Sequence, residues 1–427
     1  MLNLKVLVVS RVAWNSATNF GNTYSTLFGD MENTEIAHIY FGGGTPDTPI
    51  ASRFFRVSET DIVRRLLRKS RTCGKTVECA SQTAPQKPDA VQSFGKKHRL
   101  TAFFVLRDLL FQTGVWKTED LKAFVTEFAP DVIFAPLYGH IYMHPIDRYI
   151  AKLSGAPLVS FVSDDIYSLK QYRFSPFYWL YRFALRRQIR KTVAAGEKLF
   201  VISELQKAEY EKAFHKSCTV LYKGADFSQH PPQTAANHPL KICFTGNLSS
   251  GRWKTVAEIA KAIQAINQNG TKMMMEIYSV TPLTDSMRAA IEIPDCSVFK
   301  GAVSGQEALR LQEKADILLH CESFEKREKY EVRLSFSTKI VDYFSKAKCI
   351  FAVGDRGVAS MDYLIRNDAA VTACSTAEIL EKLSMLAENP ALIDEYAEKA
   401  WQCGVRNHDI YKIRTDLYTT LKNTRKG

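Results

Sequence analysis

No run of about 18 apolar residues occurs in this chain of 427 residues, so a membrane-spanning helix is not expected. Its nine cysteines are scattered, odd in number and never spaced C-x-x-C. That usage argues against a disulfide framework and against a zinc site, and it fits a reducing cytoplasm. The start, Met1 to Lys5, runs into an apolar strand without a signal-peptide pattern. Neither G-x-G-x-x-G nor a Walker A sequence is present, so a dinucleotide or P-loop site is not indicated. No repeat of roughly 20–50 residues is visible either.

What remains is a chain long enough for two domains with separate cores. Strand and helix patterns alternate throughout. In the first half the strand candidates are Leu4–Val9, Glu35–Phe41, Asp131–Ala135, Pro157–Val162, Lys198–Ile202 and Thr219–Tyr222. These are continuous apolar runs, the pattern of parallel strands buried on both faces. Ser203 with Gln206 predicts a capping box, and Leu100–Leu110 reads as a helix. The polar segment Ser70–Lys97, with Pro85 and Pro88, reads as a loop. Ser228–Pro239 is the best linker, giving domains at 1–230 and 231–405, with a last segment, 406–427, expected to cross back to the first. The second half repeats the rhythm with strands Leu240–Thr245, Met273–Tyr278, Ser297–Lys300, Ala315–His320, Cys349–Val353 and Ala370–Thr372. The fold class expected is α/β, two Rossmann-like doubly wound domains facing a cleft, with ligands at the carboxyl ends of the strands.

Two segments of the second half carry chemistry. Ser335-Phe336-Ser337-Thr338-Lys339-Ile340-Val341-Asp342 lies between two strands, and Ser337 is placed to cap a helix with apolar face Ile340, Val341 and Phe344. A helix start with free N–H groups, a cation at Lys339 and an acid one turn on at Asp342 suits a nucleoside diphosphate: phosphate on the cation, ribose on the acid. A capped surface helix with an ion pair is the competing reading. The second segment, Gly246-Asn247-Leu248-Ser249-Ser250-Gly251-Arg252-Trp253-Lys254, joins a strand to a helix. Its glycines let the backbone approach an anion while Arg252 and Lys254 supply charge.

Together, "FTGNLSSGRWKTV", "ADILLHCESF" and "RLSFSTKIVDYFSKAKCIFAVG", with the N-terminal "SRVAWNSATNFGNTYSTLF" and the central "SFVSDDIY", resemble GT-B glycosyltransferases related to glycosyltransferase family 4, of the bacterial surface-polysaccharide type. The resemblance covers nearly the whole chain. It implies transfer of a sugar from a nucleotide-sugar donor, a co-substrate rather than a resident cofactor, to a carbohydrate or lipid-linked acceptor. It also implies retention of configuration and no metal, with Arg252, Lys254 and Lys339 stabilising the leaving diphosphate. Gly21 and Asn22, in a polar loop after the first strand, would approach that diphosphate, as would Gly246 and Asn247. Ser335, Ser337, Thr338, Glu331 and Asp342 would complete the donor site.

The family's E-x7-E spacing falls on Leu334 here, so Asp342 stands for the second acid and Glu331 is the candidate substitute for the first. Where relatives often place a histidine, this chain has Ser163, Asp164 and Asp165, and Asp164 is the catalytic candidate there. His140, His144 and Glu322 are further cleft candidates. A nucleotide-sugar epimerase and a catalytically silent nucleotide-sugar-binding protein are the rival readings of the same fold.

The formal net charge of +12 is unevenly spread. Between Gln171 and Lys191 stand Arg173, Arg182, Arg186, Arg187, Arg190 and Lys191, interleaved with aromatic residues and without an acid. A second run covers Arg64, Arg65, Arg68, Lys69 and Arg71. Such helices suit an anionic membrane surface, and the competing reading is a solvated face. Nucleic acid is not expected, since no nucleic-acid-binding module accompanies these runs. The location implied is the cytoplasm, peripheral on the inner face of the membrane.

Overall fold

The computed structural model of the chain describes residues 3–15, 18–80, 101–171, 173–232 and 235–425, with backbone alone at 19 and 101–104. The chain divides into two units. One comprises the chain up to Leu169, Arg173–Leu221 and everything from Lys412 on; the other is mainly Tyr222–Tyr411.

The first unit is built on eight strands: β1 Leu4–Ser10, β2 Thr34–Phe41, β3 Arg53–Val57, β4 Lys75–Val77, β5 Val132–Pro136, β6 Leu158–Val162, β7 Lys198–Val201 and β8 Cys218–Val220. Their order in the sheet is β4-β3-β2-β1-β5-β6-β7-β8, parallel except where β4 meets β3. The central strand β1 pairs with β2 on one side and β5 on the other, Val6 lying opposite both Ile36 and Val132. Val6 to Val9 are fully buried, as an apolar run covered on both faces must be. Strands β3 and β4 have no counterpart in the sequence reading. The segment read as a loop from Ser70 holds β4, whose alternation is too short to register; its remainder, 81–97, lies outside the described residues, as do Pro85 and Pro88. The helix after β7, Glu204–Phe214, starts at Ser203, whose Oγ accepts from the Gln206 N–H (3.2 Å), but the Gln206 amide oxygen accepts from Ile202, not from Ser203. The terminal helix, Ile410–Thr424, fixes its Lys412-onward part to this unit through Arg414, which donates to Thr26 O and pairs with Asp30, each at 2.9 Å.

The second unit carries β9 Leu240–Thr245, β10 Met273–Tyr278, β11 Ser297–Gly301, β12 Ile317–Cys321, β13 Cys349–Val353 and β14 Val371–Ala373, ordered β11-β10-β9-β12-β13-β14 and parallel throughout. Its core interleaves Ile242, Phe244, Met275, Ile277, Leu319 and Phe351 with Val256, Ile259 and Ile263 of the helix Arg252–Ile266. Residues 222–239 pack with this unit: Ala225 bridges to Asp409, and Asn237 donates its N–H to Asp316 at 3.1 Å. In each unit the chain enters on a central strand and winds first to one side, then to the other. The reversal leaves a crevice at the carboxyl ends of β1 and β5 in one unit and of β9 and β12 in the other.

Candidate functional site

A cavity of about 90 Å³ opens at that reversal in the second unit. Thr245 and Asn247 come from the end of β9, His320, Cys321 and Glu322 from the end of β12, and Arg252 from the start of the helix that follows β9. Ser337, Lys339 and Tyr343 close it. The sequence segments singled out for charge therefore do converge, at the place where open α/β sheets bind ligands.

Charge in this cavity is not balanced. Arg252 engages the buried Glu322 through Nε and Nη2, both to Oε2, at 2.9 and 2.8 Å. Burial pushes the Glu322 carboxyl up, and the guanidinium opposes the shift. Lys339 stands beside this pair with its pKa lowered, first by desolvation of its ammonium and then by the Arg252 charge. Lys339, exposed to solvent, thus stands as a second cation beside a single buried carboxylate, and an entering anion would be attracted to both cations. His320 is held neutral, its pKa lowered to about 3 by burial and by the two neighbouring cations. Its Nε2 is buried without a hydrogen-bond partner. A buried polar atom left unpaired inside a cationic cavity points to a ligand that supplies the partner.

Backbone shape matters at Gly246. A methyl group there would stand 2.6 Å from the Lys339 Nζ and 3.0 Å from the Phe244 ring, so only glycine lets the ammonium lie over this turn. Asn247 orders the same turn by accepting from the Ser249 N–H at 2.7 Å and the Thr281 hydroxyl at 2.9 Å.

Several expected site residues stand elsewhere. The helix after Thr338 spans Lys339–Ser345 and has no side-chain cap: Ser337 accepts from Ile340 only through its carbonyl (3.1 Å), and its own N–H donates to Ser360. Thr338, in helical geometry, is the residue before the first turn, and Ser335 donates its N–H to Val332 O. Asp342 is held by Lys223, Oδ1 to Nζ 2.6 Å. Lys254 points out of the cavity into a solvent-exposed pair with Glu325. Glu331 belongs to the short helix Lys326–Val332 and does not line the cavity.

In the first unit, Gly21 and Asn22 are not in a loop; they sit in the helix Asn19–Phe28, capped by Thr18. A methyl group on Gly21 would lie 1.9 Å from Asn15 O, so that glycine serves close packing of helix on loop. Asp165 is buried and accepts from the N–H of Ser168 at 2.8 Å, while Asp164 is exposed and receives Gln206 Nε2 on its carbonyl at 3.1 Å. His144 is structural: it is buried, bonded to Tyr138 O at 3.0 Å and held neutral with its pKa lowered to about 3. His140, which burial and the Arg11 charge keep neutral, follows β5 near the first unit's own reversal point. Sequence reading missed His320 and Lys223 as site residues; the polar run after the apolar β12, "HCES", was the available signal for the first.

Solved structures resemble this chain along its whole length. HepE of Anabaena in complex with UDP-glucose superposes with a TM-score of 0.60 at 12% identity, over 99% of this chain and 100% of that one. Sucrose-phosphate synthase from Thermosynechococcus elongatus gives 0.63 at 10%, covering 99% of each chain. WaaG, a glycosyltransferase involved in lipopolysaccharide biosynthesis, gives 0.54 at 11%, covering 98% of this chain and 99% of its own. The fold is GT-B. No protein-family model matches the sequence, and no curated protein matches it either. The GT-B fold accounts for two doubly wound sheets in one chain.

Proposed function

We propose that the chain is a glycosyltransferase that binds a nucleotide-sugar donor in its second unit. The observation that carries this reading is the under-compensated pair Arg252 and Lys339, at the carboxyl ends of β9 and β12, beside the unpaired His320 nitrogen. The donor diphosphate takes both cations. Asp342, already held in place by Lys223, accepts ribose hydroxyls, while Asn247 and Gly246 shape the turn over the phosphates.

Transfer proceeds with retention and without a bound metal. The bond from the sugar's anomeric carbon to the diphosphate oxygen breaks, and the leaving charge is met by Arg252 and Lys339. The acceptor hydroxyl attacks the same face, and its proton passes to the departing phosphate oxygen, so no separate general base is needed. The acceptor, a carbohydrate or a lipid-linked sugar, binds the first unit near Arg11, Tyr138 and His140; Asp164 is a further acceptor-side candidate. The setting we assign is bacterial surface-polysaccharide assembly in the cytoplasm, in keeping with nine free thiols and with the sequence resemblance to family 4.

A thermal-shift screen of UDP, GDP and their sugars tests the donor assignment, because a ligand of the native state raises its melting temperature. UDP is the first candidate, since the similar HepE binds it. A rise with one nucleotide and its sugar is expected. Indifference to all of them would remove the transferase reading and leave only the fold.

A further inference from the structure

The first unit carries an apolar surface that the donor site does not explain. The helix Pro176–Ala195, capped by Ser175 and opened by Pro176, turns Phe177, Leu180 and Phe183 to solvent at 76, 68 and 55% exposure. Exposed apolar side chains scattered singly are ordinary, but several in a row on one helix mark a surface made for contact. They form a stripe at spacings of three, and Arg187 and Lys191 extend it on the same face.

The basic run of this helix is in fact two columns. Arg182, Arg186 and Arg190, at spacings of four, hold the loop after β6. Arg182 donates to Ser168 O and Asp165 O, Arg186 lies on the Tyr167 ring and donates to Tyr167 O, and Arg190 donates to the Tyr167 hydroxyl. Arg187 and Lys191 are exposed cations of the run's second half, as is Arg190 beyond the Nε that reaches Tyr167.

Two helices linked to this one also expose apolar side chains. Tyr181 donates to Asp108 of the helix Thr101–Gln112, which itself exposes Leu106 and Leu109 at 55 and 54%. Arg107 of that helix pairs with Glu59 at 2.6 Å, joining it to the helix Glu59–Leu66. There Leu66 and Leu67 are exposed beside Arg64, Arg68 and Lys69. From Ile62 to Val77 the sequence contains no acid, and Glu59 and Asp108 are both engaged in the pairs that join the helices.

We propose that this three-helix face seats the protein on an anionic lipid bilayer, with Phe177, Leu180, Phe183, Leu106 and Leu109 in the headgroup layer and the flanking cations on lipid phosphates. An amphipathic surface with a basic rim has the chemistry of a membrane-interface element. A second copy of the chain is a poorer occupant, because two identical faces would bring the same cations together without an acid to meet them. Among the described residues no helix is long and apolar enough to cross a membrane, so the contact is one of surface docking.

The test is co-sedimentation of the full chain with vesicles of phosphatidylcholine alone and of equal parts phosphatidylcholine and phosphatidylglycerol. Wild type is expected to pellet with the anionic vesicles at low salt and to be released as salt rises. The triple variant Phe177→Ser, Leu180→Ser, Phe183→Ser should lose binding by roughly tenfold or more, and so should Arg64→Glu, Lys69→Glu, Arg187→Glu. Both variants should keep the wild-type melting temperature, since they change exposed side chains, and UDP binding read in parallel keeps this test separate from the donor assignment. Wild type that ignores anionic vesicles at low salt overturns the proposal. So does a triple variant that binds as wild type, or a wild-type dimer in light scattering that the serine variant dissociates.

Discussion

At the scale of single residues, Gly246 connects backbone shape to charge. Its missing side chain leaves room for the Lys339 ammonium, which sits 2.6 Å from where a methyl group would be. Gly246→Ala pushes aside the tip of a flexible side chain and meets the Phe244 ring at 3.0 Å, so the fold should survive with a small loss of stability. The displaced ammonium should weaken nucleoside diphosphate binding by about 1–3 kcal/mol, the worth of a charge-assisted contact. Titration calorimetry with UDP checks this; unchanged affinity would mean that Lys339 does not need its place over the turn. Gly21 is the contrasting case. Its glycine answers to Asn15 O at 1.9 Å, a backbone atom that cannot yield, and the residue has a packing role that its position in the sequence does not reveal.

At the scale of elements, four histidines besides His140 are fixed neutral by what covers them. His38 lies on β2 against Ser10, His144 in the helix after β5, His320 on β12, and His408 against Tyr363 at 2.9 Å. Their pKa values fall from 6.5 to about 3, or about 4 for His408, because burial penalises the imidazolium. Lowered basic groups bind fewer protons folded than unfolded, so the stability they allow is complete above pH 6.5 and drains as pH falls toward 4. Buried Asp108, Asp147 and Glu322, whose pKa values burial raises, act in the opposite sense over part of that range. A single variant isolates one histidine. Relative to His408→Gln, wild type should lose about 1.4 kcal/mol per pH unit below 6.5, on the order of 3 kcal/mol by pH 4. Urea unfolding of both proteins from pH 7 to 4 measures the difference; parallel curves would show that His408 is already charged in the fold.

The same elements show why the sequence was readable in parts. Central parallel strands such as β1, β9, β12 and β13 are buried on both faces and announce themselves as unbroken apolar runs. The edge strand β4 has three residues, two of them polar, and its neighbour β3 is broken by Arg56, so neither reads as an unbroken apolar run. Periodicity showed that the Pro176–Ala195 helix was basic but not that its arginines divide between a loop they hold and an open face; only Tyr167 and Asp165, distant in sequence, decide that. Arg252 and Lys339 stood out as candidates because each is a cation at a helix start between two strand patterns. The displacement of Lys254 by Glu325, and of Asp342 toward Lys223, came from partners that spacing does not predict.

At the scale of the whole molecule, two doubly wound sheets of the GT-B fold each reverse winding beside their first strand, and each reversal makes a crevice. The second unit's crevice holds more positive than negative charge, a buried unpaired imidazole nitrogen and a turn cut to fit an ammonium. That combination favours an anion. Lys339→Met keeps the volume of the side chain and removes its charge, so it leaves the core intact while taking away one of the two cations. The decisive measurement is titration calorimetry of UDP into wild type and Lys339→Met, with melting curves of both. Expected are saturable binding to wild type, a melting temperature for Lys339→Met equal to or above that of wild type, and UDP binding to the variant weakened by about 2–4 kcal/mol. Equal UDP affinity in the two proteins, with both folded, would contradict the donor assignment.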